Sequence, residues 1–225
     1  MNKKLKTQDM VTLGMLGALA YVVMIVGRFP LVPAVSFLKY DPKDVIITLA
    51  GMIYGPLSAF AVSFVVSFVE MLTVSDTGII GLVMNVISTC SFACTASFIF
   101  LRCRKAFGKL SSVVGLIAGS ICMVVVMILW NVLLTPLYMG WPRSAVIQLL
   151  VPGFLPFNLL KAGLNAAATL LLARPLFAVL YRSGLLTVDS SQKETETGRF
   201  PLGLLLLGLA LLATCILIIL LVHRR

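Results

Sequence analysis

Apolar stretches on the scale of a lipid bilayer constrain this chain more than any other feature. They run from about Met10 to Val26, from Val45 to Met52 and on past Gly55-Pro56 to Leu72, from Ile79 to Leu101, from Val113 to Leu134 and from Ile147 to Leu180, and a further block, Leu202 to Val222, follows a polar break. A chain that is 60% hydrophobic and only 12% charged, with a mean hydropathy of +1.08, lies outside the range of ordinary soluble domains. The fold class that follows is an all-α integral membrane protein.

The piece from Asp44 to Ile53 is too short to cross alone, and Tyr54-Gly55-Pro56 reads as a turn, so it forms a short second helix ahead of the third. Residues 1–186 then make a six-helix membrane domain, 187–199 a charged linker (TVDSSQKETETGR) expected to be mobile and cytoplasmic, and 200–225 an additional hydrophobic helix. The N-terminal MNKKLKTQDM is basic but is followed by no small-residue cleavage site, which implies a retained first helix rather than a signal peptide. Lys3, Lys4 and Lys6 before the first helix, and Arg102, Arg104, Lys105 and Lys109 between the fourth and fifth, place the N-terminus in the cytoplasm. The outer loops are then Phe29 to Lys43, Thr73 to Gly78, and Pro136 to Ala145, with Tyr138 and Trp141 as interfacial anchors. The last block would cross outward and leave His223, Arg224 and Arg225 outside, a mild departure from the positive-inside bias.

The formal charge of +10 sits at helix ends and reflects membrane topology, not nucleic-acid binding. Cys90, Cys94, Cys103, Cys122 and Cys215 are scattered through apolar segments and read as small buried hydrophobes, and with His223 as the single histidine a metal site has almost no material. No phosphate loop is present, since Gly108-Lys109 lacks both the earlier glycine and the following hydroxyl residue, so the chain is not its own ATPase. Protease and hydrolase signatures are absent too, and an enzyme is not expected.

Against this apolar background a few polar residues stand out. Asn158, Lys161 and Asn165 fall at i, i+3 and i+7 and share one helical face, with Phe154 four residues before Asn158. A lysine at mid-bilayer costs about 2.5–3.5 kcal/mol on insertion scales and usually faces a bundle interior or a cavity, so the stripe marks either a polar small-molecule site, suited to a flat heteroaromatic ligand, or a structural ion pair. Glu70 is the expected partner of Lys161, unless it sits at headgroup level and needs none. Asn131 is either a ligand contact or interhelical glue. Gly14 and Ala18 form a small-xxx-small pair that serves internal packing or docking of another subunit.

Phe37-Leu-Lys-Tyr-Asp-Pro-Lys-Asp44 followed by Tyr54-Gly55-Pro56, Thr77-Gly78 with Asn85, Asn131 with Thr135-Pro136-Leu137-Tyr138, and Pro156-Phe-Asn158-Leu-Leu-Lys161 occur in an order and spacing that resembles the substrate-binding S components of energy-coupling-factor (ECF) vitamin transporters. The nearest pattern is that of the riboflavin-specific members. The resemblance covers residues 10 to about 182. It implies a six-helix bundle in the bacterial cell membrane that binds riboflavin from outside, with no resident cofactor, and works with a transmembrane coupling subunit and two cytoplasmic ATPases. It also implies that Asn131, Asn158 and Lys161 contact the ligand, that Leu38, Lys39 and Tyr40 close over it, and that Gly14 and Ala18 face the coupling subunit; Asn85, one of the landmarks, and Glu70, which could accept ligand hydroxyl protons, are counted with the same site. An S component for another vitamin or a nucleobase-like compound, or a membrane scaffold without a ligand, are the competing readings.

Overall fold

The computed structural model describes residues 6–75, 77–185 and 202–223. Helix α1 (Thr7–Gly27) leads into a hairpin of β1 (Phe29–Pro30) antiparallel to β2 (Lys39–Tyr40). Then come α2 (Lys43–Tyr54), α3 (Pro56–Thr73), α4 (Gly78–Phe107), α5 (Ser111–Met139), α6 (Arg143–Gln148), α7 (Leu155–Arg182) and α8 (Leu202–His223). Among the described residues, six helical stretches are long and apolar enough to cross a membrane: α1, α3, α4, α5, α7 with the turn before it, and α8. The linker 187–199 and Lys3 and Lys4 lie outside the described residues.

Helix α2 is the centre of the bundle. Its 12 residues reach only about 18 Å, and every residue from Lys43 to Met52 is buried. A Cβ on Gly51 would collide with Ser97 of α4 and come within 2.8 Å of Ala59 of α3, so the two neighbours press directly on the α2 backbone. Gly55, at φ +100°, ends α2, and Pro56 opens α3 at a position where its missing N–H costs nothing. The outer faces of the long helices carry apolar side chains, with Val26 at 83% and Leu57 at 79% exposed, while serines, threonines, asparagines and charges turn inward. That distribution suits a hydrocarbon solvent, which can satisfy neither polar side chains nor unpaired backbone.

Two expectations from the sequence need correction. The fifth helix does not stop at Leu134 but runs through Pro136 to Met139: proline's fixed φ is already helical, and the lost bond to the Val132 carbonyl and the crowding of the ring against it fall in the last turn, where the helix ends anyway. Nor is Ile147 to Leu180 one helix. Pro152 cannot donate, and the ladder widens into a π turn over Leu150–Phe154, where the Gly153 and Phe154 N–H groups both reach the Leu149 carbonyl at 2.9 and 3.0 Å. A Cβ on Gly153 would stand 2.6 Å from Val35, so the loop after α1 rests against this turn.

The contact of α4 with α5 depends on a small-residue pair that the sequence reading passed over. Cβ atoms on Gly115 and Gly119 would each stand 2.6 Å from a backbone carbonyl of α4, that of Ala96 and of Phe92 respectively. Since backbone cannot rotate away, Gly119→Val is expected to destabilise the purified protein by about 1–3 kcal/mol or more, read as a lowered unfolding temperature in detergent. The same change at Gly14, which has open space where a Cβ would go, is expected to leave that temperature unchanged.

Candidate ligand-binding site

Asp44, in the first turn of α2, is fully buried, and its carboxylate joins three helices. Thr89 Oγ1 of α4 donates to Oδ1 at 2.6 Å, Asn165 Nδ2 of α7 donates to Oδ2 at 3.2 Å, and Lys161 Nζ of α7 lies 3.3 Å from Oδ2. Its place at a helix N-terminus adds the favourable end of the α2 dipole. Lys161 also donates to Ser88 Oγ at 3.1 Å. An ammonium has three N–H groups, so one remains for a further acceptor.

The partner of Lys161 is therefore Asp44 and not Glu70. Glu70, fully buried in the last turn of α3, accepts from Lys43 Nζ and pairs with Arg28 at 3.2 Å, while Arg28 Nε stands 3.2 Å from Asp41. Burial raises the Asp41 carboxyl above the ordinary aspartate range, Lys43 and Lys161 pull it back, Glu70 adds to the rise and Arg28 opposes it. Asp41 lies in the run that reads as outer loop and Asp44 opens the short second helix, and the inward plunge of α2 carries both into the bundle. Three cations (Arg28, Lys43, Lys161) meet three carboxylates (Asp41, Asp44, Glu70), so the layer is formally neutral.

Beside this layer lies a cavity of about 330 Å³, within the range of small-molecule sites. Of the residues expected at a site, Leu38, Lys39, Asn85, Asn158 and Lys161 line it. Its aromatic walls are Phe37 and Phe157. Phe154 instead packs into the core, fully buried, with its ring 6.1 Å from that of Phe37. Glu70, Tyr40 and Asn131 are not on the wall. Asn131 is fully buried and turns its amide back on its own helix, donating to the Met127 carbonyl at 2.7 Å and accepting from Thr135 at 3.4 Å, so it is not interhelical glue either. Asn165 is used by Asp44.

Asn165 Oδ1 and Asn158 Oδ1 are both unmatched, but only Asn158 lines the cavity. Its Nδ2 donates to the Phe154 carbonyl at 2.8 Å, which fixes the amide orientation because a carbonyl can only accept, and its buried Oδ1 has no hydrogen-bond partner. An unmatched acceptor on a cavity wall 1% exposed asks for an N–H or O–H from a ligand. The site thus offers an acceptor at Asn158, a spare donor at Lys161, an amide at Asn85 and flat apolar walls.

The model of the family described as "ECF transporter, substrate-specific component" matches residues 8–173. The chain belongs to that family. It is 31% identical over 166 residues to the riboflavin transporter FmnP of Bacillus subtilis (strain 168), covering 70% of this chain and 85% of that one. It is 30% identical over 190 residues to the riboflavin transporter RibU of Staphylococcus aureus (strain TCH60), covering 80% and 97%. A solved chain reported under "Structure and mechanism of the S component of a bacterial ECF transporter" superposes with a TM-score of 0.64 at 29% identity, covering 77% of this chain and 97% of that one. The protein is a multi-pass membrane S component and not an enzyme. The family match ends within α7, so α8 lies beyond it.

Removing the Asp44 carboxylate strands Lys161 in the bundle. Asp44→Leu is expected to cost about 3–5 kcal/mol in unfolding measurements on this S component, and the double variant with Lys161→Met to recover much of it, because a buried pair replaced whole is close to neutral. Failure of the second change to rescue the first would mean that the carboxylate acts through Thr89 and Asn165 instead.

Proposed function

We propose that this S component captures riboflavin at the outer face of the bacterial cell membrane and releases it inward, driven by a transmembrane coupling subunit and two cytoplasmic ATPases. The observation that carries the ligand assignment is the unmatched Asn158 acceptor beside the spare Lys161 donor, in a chain whose relatives are riboflavin transporters. The isoalloxazine ring has a pyrimidine edge with one N–H between two carbonyls, which complements that pair, and a flat apolar remainder for Phe37 and Phe157. The charged layer is neutral, and of the cations on the cavity wall only Lys39 stands outside its pairs, so a phosphate dianion would meet one free positive charge, which favours the free vitamin. Another ligand class or a scaffold role is not favoured by the relatives.

The orientation follows from charge. The Gln8 side chain donates to the Gly184 carbonyl, so the start of α1 and the end of α7 share one end of the bundle with Lys6 and Arg182. That basic end is the cytoplasmic one, and it includes the N-terminus. Gly14 and Ala18 face outward from α1, where Gly14 has nothing within 4 Å of a Cβ. Internal packing does not account for them, and close approach of a coupling-subunit helix does.

Titrating the purified chain with riboflavin, followed by flavin fluorescence, tests the ligand. Saturable quenching is expected, with the phosphate weaker and Asn158→Ala binding about tenfold or more weakly, the scale of one lost buried hydrogen bond. A well-folded sample that quenches no flavin would sink the assignment. For the coupling face, Gly14→Leu is expected to leave binding intact while abolishing uptake into cells that carry the complete transporter. Undiminished uptake would place the contact elsewhere.

A further inference from the structure

Helix α8 runs antiparallel along α7. A Cβ on Gly208 would meet Leu171 at 3.1 Å, and one turned toward α8 from Gly163 would meet Cys215 Sγ at 2.9 Å, so the two helices approach backbone to side chain over two turns. This course carries the end of α8 toward the loop between β1 and β2. There a single apolar cluster contains Leu31, Val32, Val35 and Tyr40 of the loop, residues of α7 and Cys215 of α8. Ile219 and Val222 pack against the same cluster. Tyr40 of the loop and Cys215 of α8 are both buried in this cluster.

The loop that α8 reaches is the one that bounds the cavity. Phe37, Leu38 and Lys39 form part of its wall, and Leu31, Val32 and Val35 lie behind them, fully or almost fully buried. Without α8 the cluster would open to lipid on the side of Cys215. We infer that α8 is a brace for the cavity-closing loop, and that Cys215, Ile219 and Val222 are positioning residues that set how readily the loop opens and hence how fast ligand leaves. The inference about ligand rests on the reading of the cavity as a riboflavin site, whereas the mechanical part does not. The brace leaves the Gly14 face of α1 uncovered, so it is compatible with a coupling subunit docked there.

Two full-length variants test this from opposite ends of α8. Ile219→Ala with Val222→Ala removes the contact at the loop, and Gly208→Leu, far from the loop, pushes the helix off Leu171. Hydrogen exchange in residues 31–40 of the unliganded protein is expected to accelerate in both, and alkylation of Cys215, located by mass spectrometry, to rise in Gly208→Leu. Riboflavin dissociation is expected to quicken about five- to tenfold in both, the scale of losing a few partly buried methyl contacts. Unchanged exchange in the loop overturns the brace, and so does an unchanged dissociation rate in protein whose Cys215 has become reactive. If the wild type binds no riboflavin, the ligand assignment fails by that result alone, and loop exchange by itself decides whether α8 braces the loop.

Discussion

A single carboxylate, that of Asp44, holds together the part of this protein on which the rest depends. It sits at the start of a short helix enclosed on all sides and accepts from α4 and α7 while pairing with Lys161. In a water-soluble protein such a group could be hydrated at modest loss. Inside a membrane bundle there is no water to substitute, so each buried charge must find its opposite within the chain. The result is a layer in which three cations and three carboxylates cancel, and the positions of α2, α3, α4 and α7 are fixed relative to one another by the need to complete it.

The cavity is a consequence of that layer. Lys161 is oriented by Asp44 and Ser88, which leaves it one donor to offer, and Asn158 is oriented by the Phe154 carbonyl at the exit of the π turn, which leaves its oxygen unmatched. Arg28 and Asp41 tie the ends of the β1–β2 hairpin to each other and to Glu70, so the loop over the cavity is anchored to the same charges that build its floor. A neutral ligand with a hydrogen-bonding edge and a flat apolar body meets each of these groups without disturbing their balance, and an anion would not.

Small residues show how one motif serves different ends. Gly115 and Gly119 let α5 touch the backbone of α4, and Gly163 and Gly208 let α8 lie on α7, while Gly14 and Ala18 have the same four-residue spacing as the first pair and are turned away from the bundle. Spacing alone could not have separated internal packing from an outward face, because the facing helix supplies the distinction. The order of landmarks from Phe37 to Lys161 was legible for a different reason: it lies in local runs around turns and helix starts, which the chain carries with it wherever the helices go.

The sequence by itself determined the number and approximate limits of the long helices, the break at Gly55-Pro56, the family, and the inward-facing stripe of Asn158, Lys161 and Asn165, since hydrocarbon length and helical period are one-dimensional constraints. Only the tertiary structure decided which acid meets Lys161, that Asn131 bonds within its own helix, that Asn165 serves Asp44 and not the cavity, and that the span ending at Arg182 opens with a π turn. These are pairings between segments remote in sequence, such as Asp44 with Thr89, Lys161 and Asn165. Polar groups in a membrane interior are strongly driven to pair, yet the identity of the partner depends on which helix faces bury together, and periodicity carries no record of that.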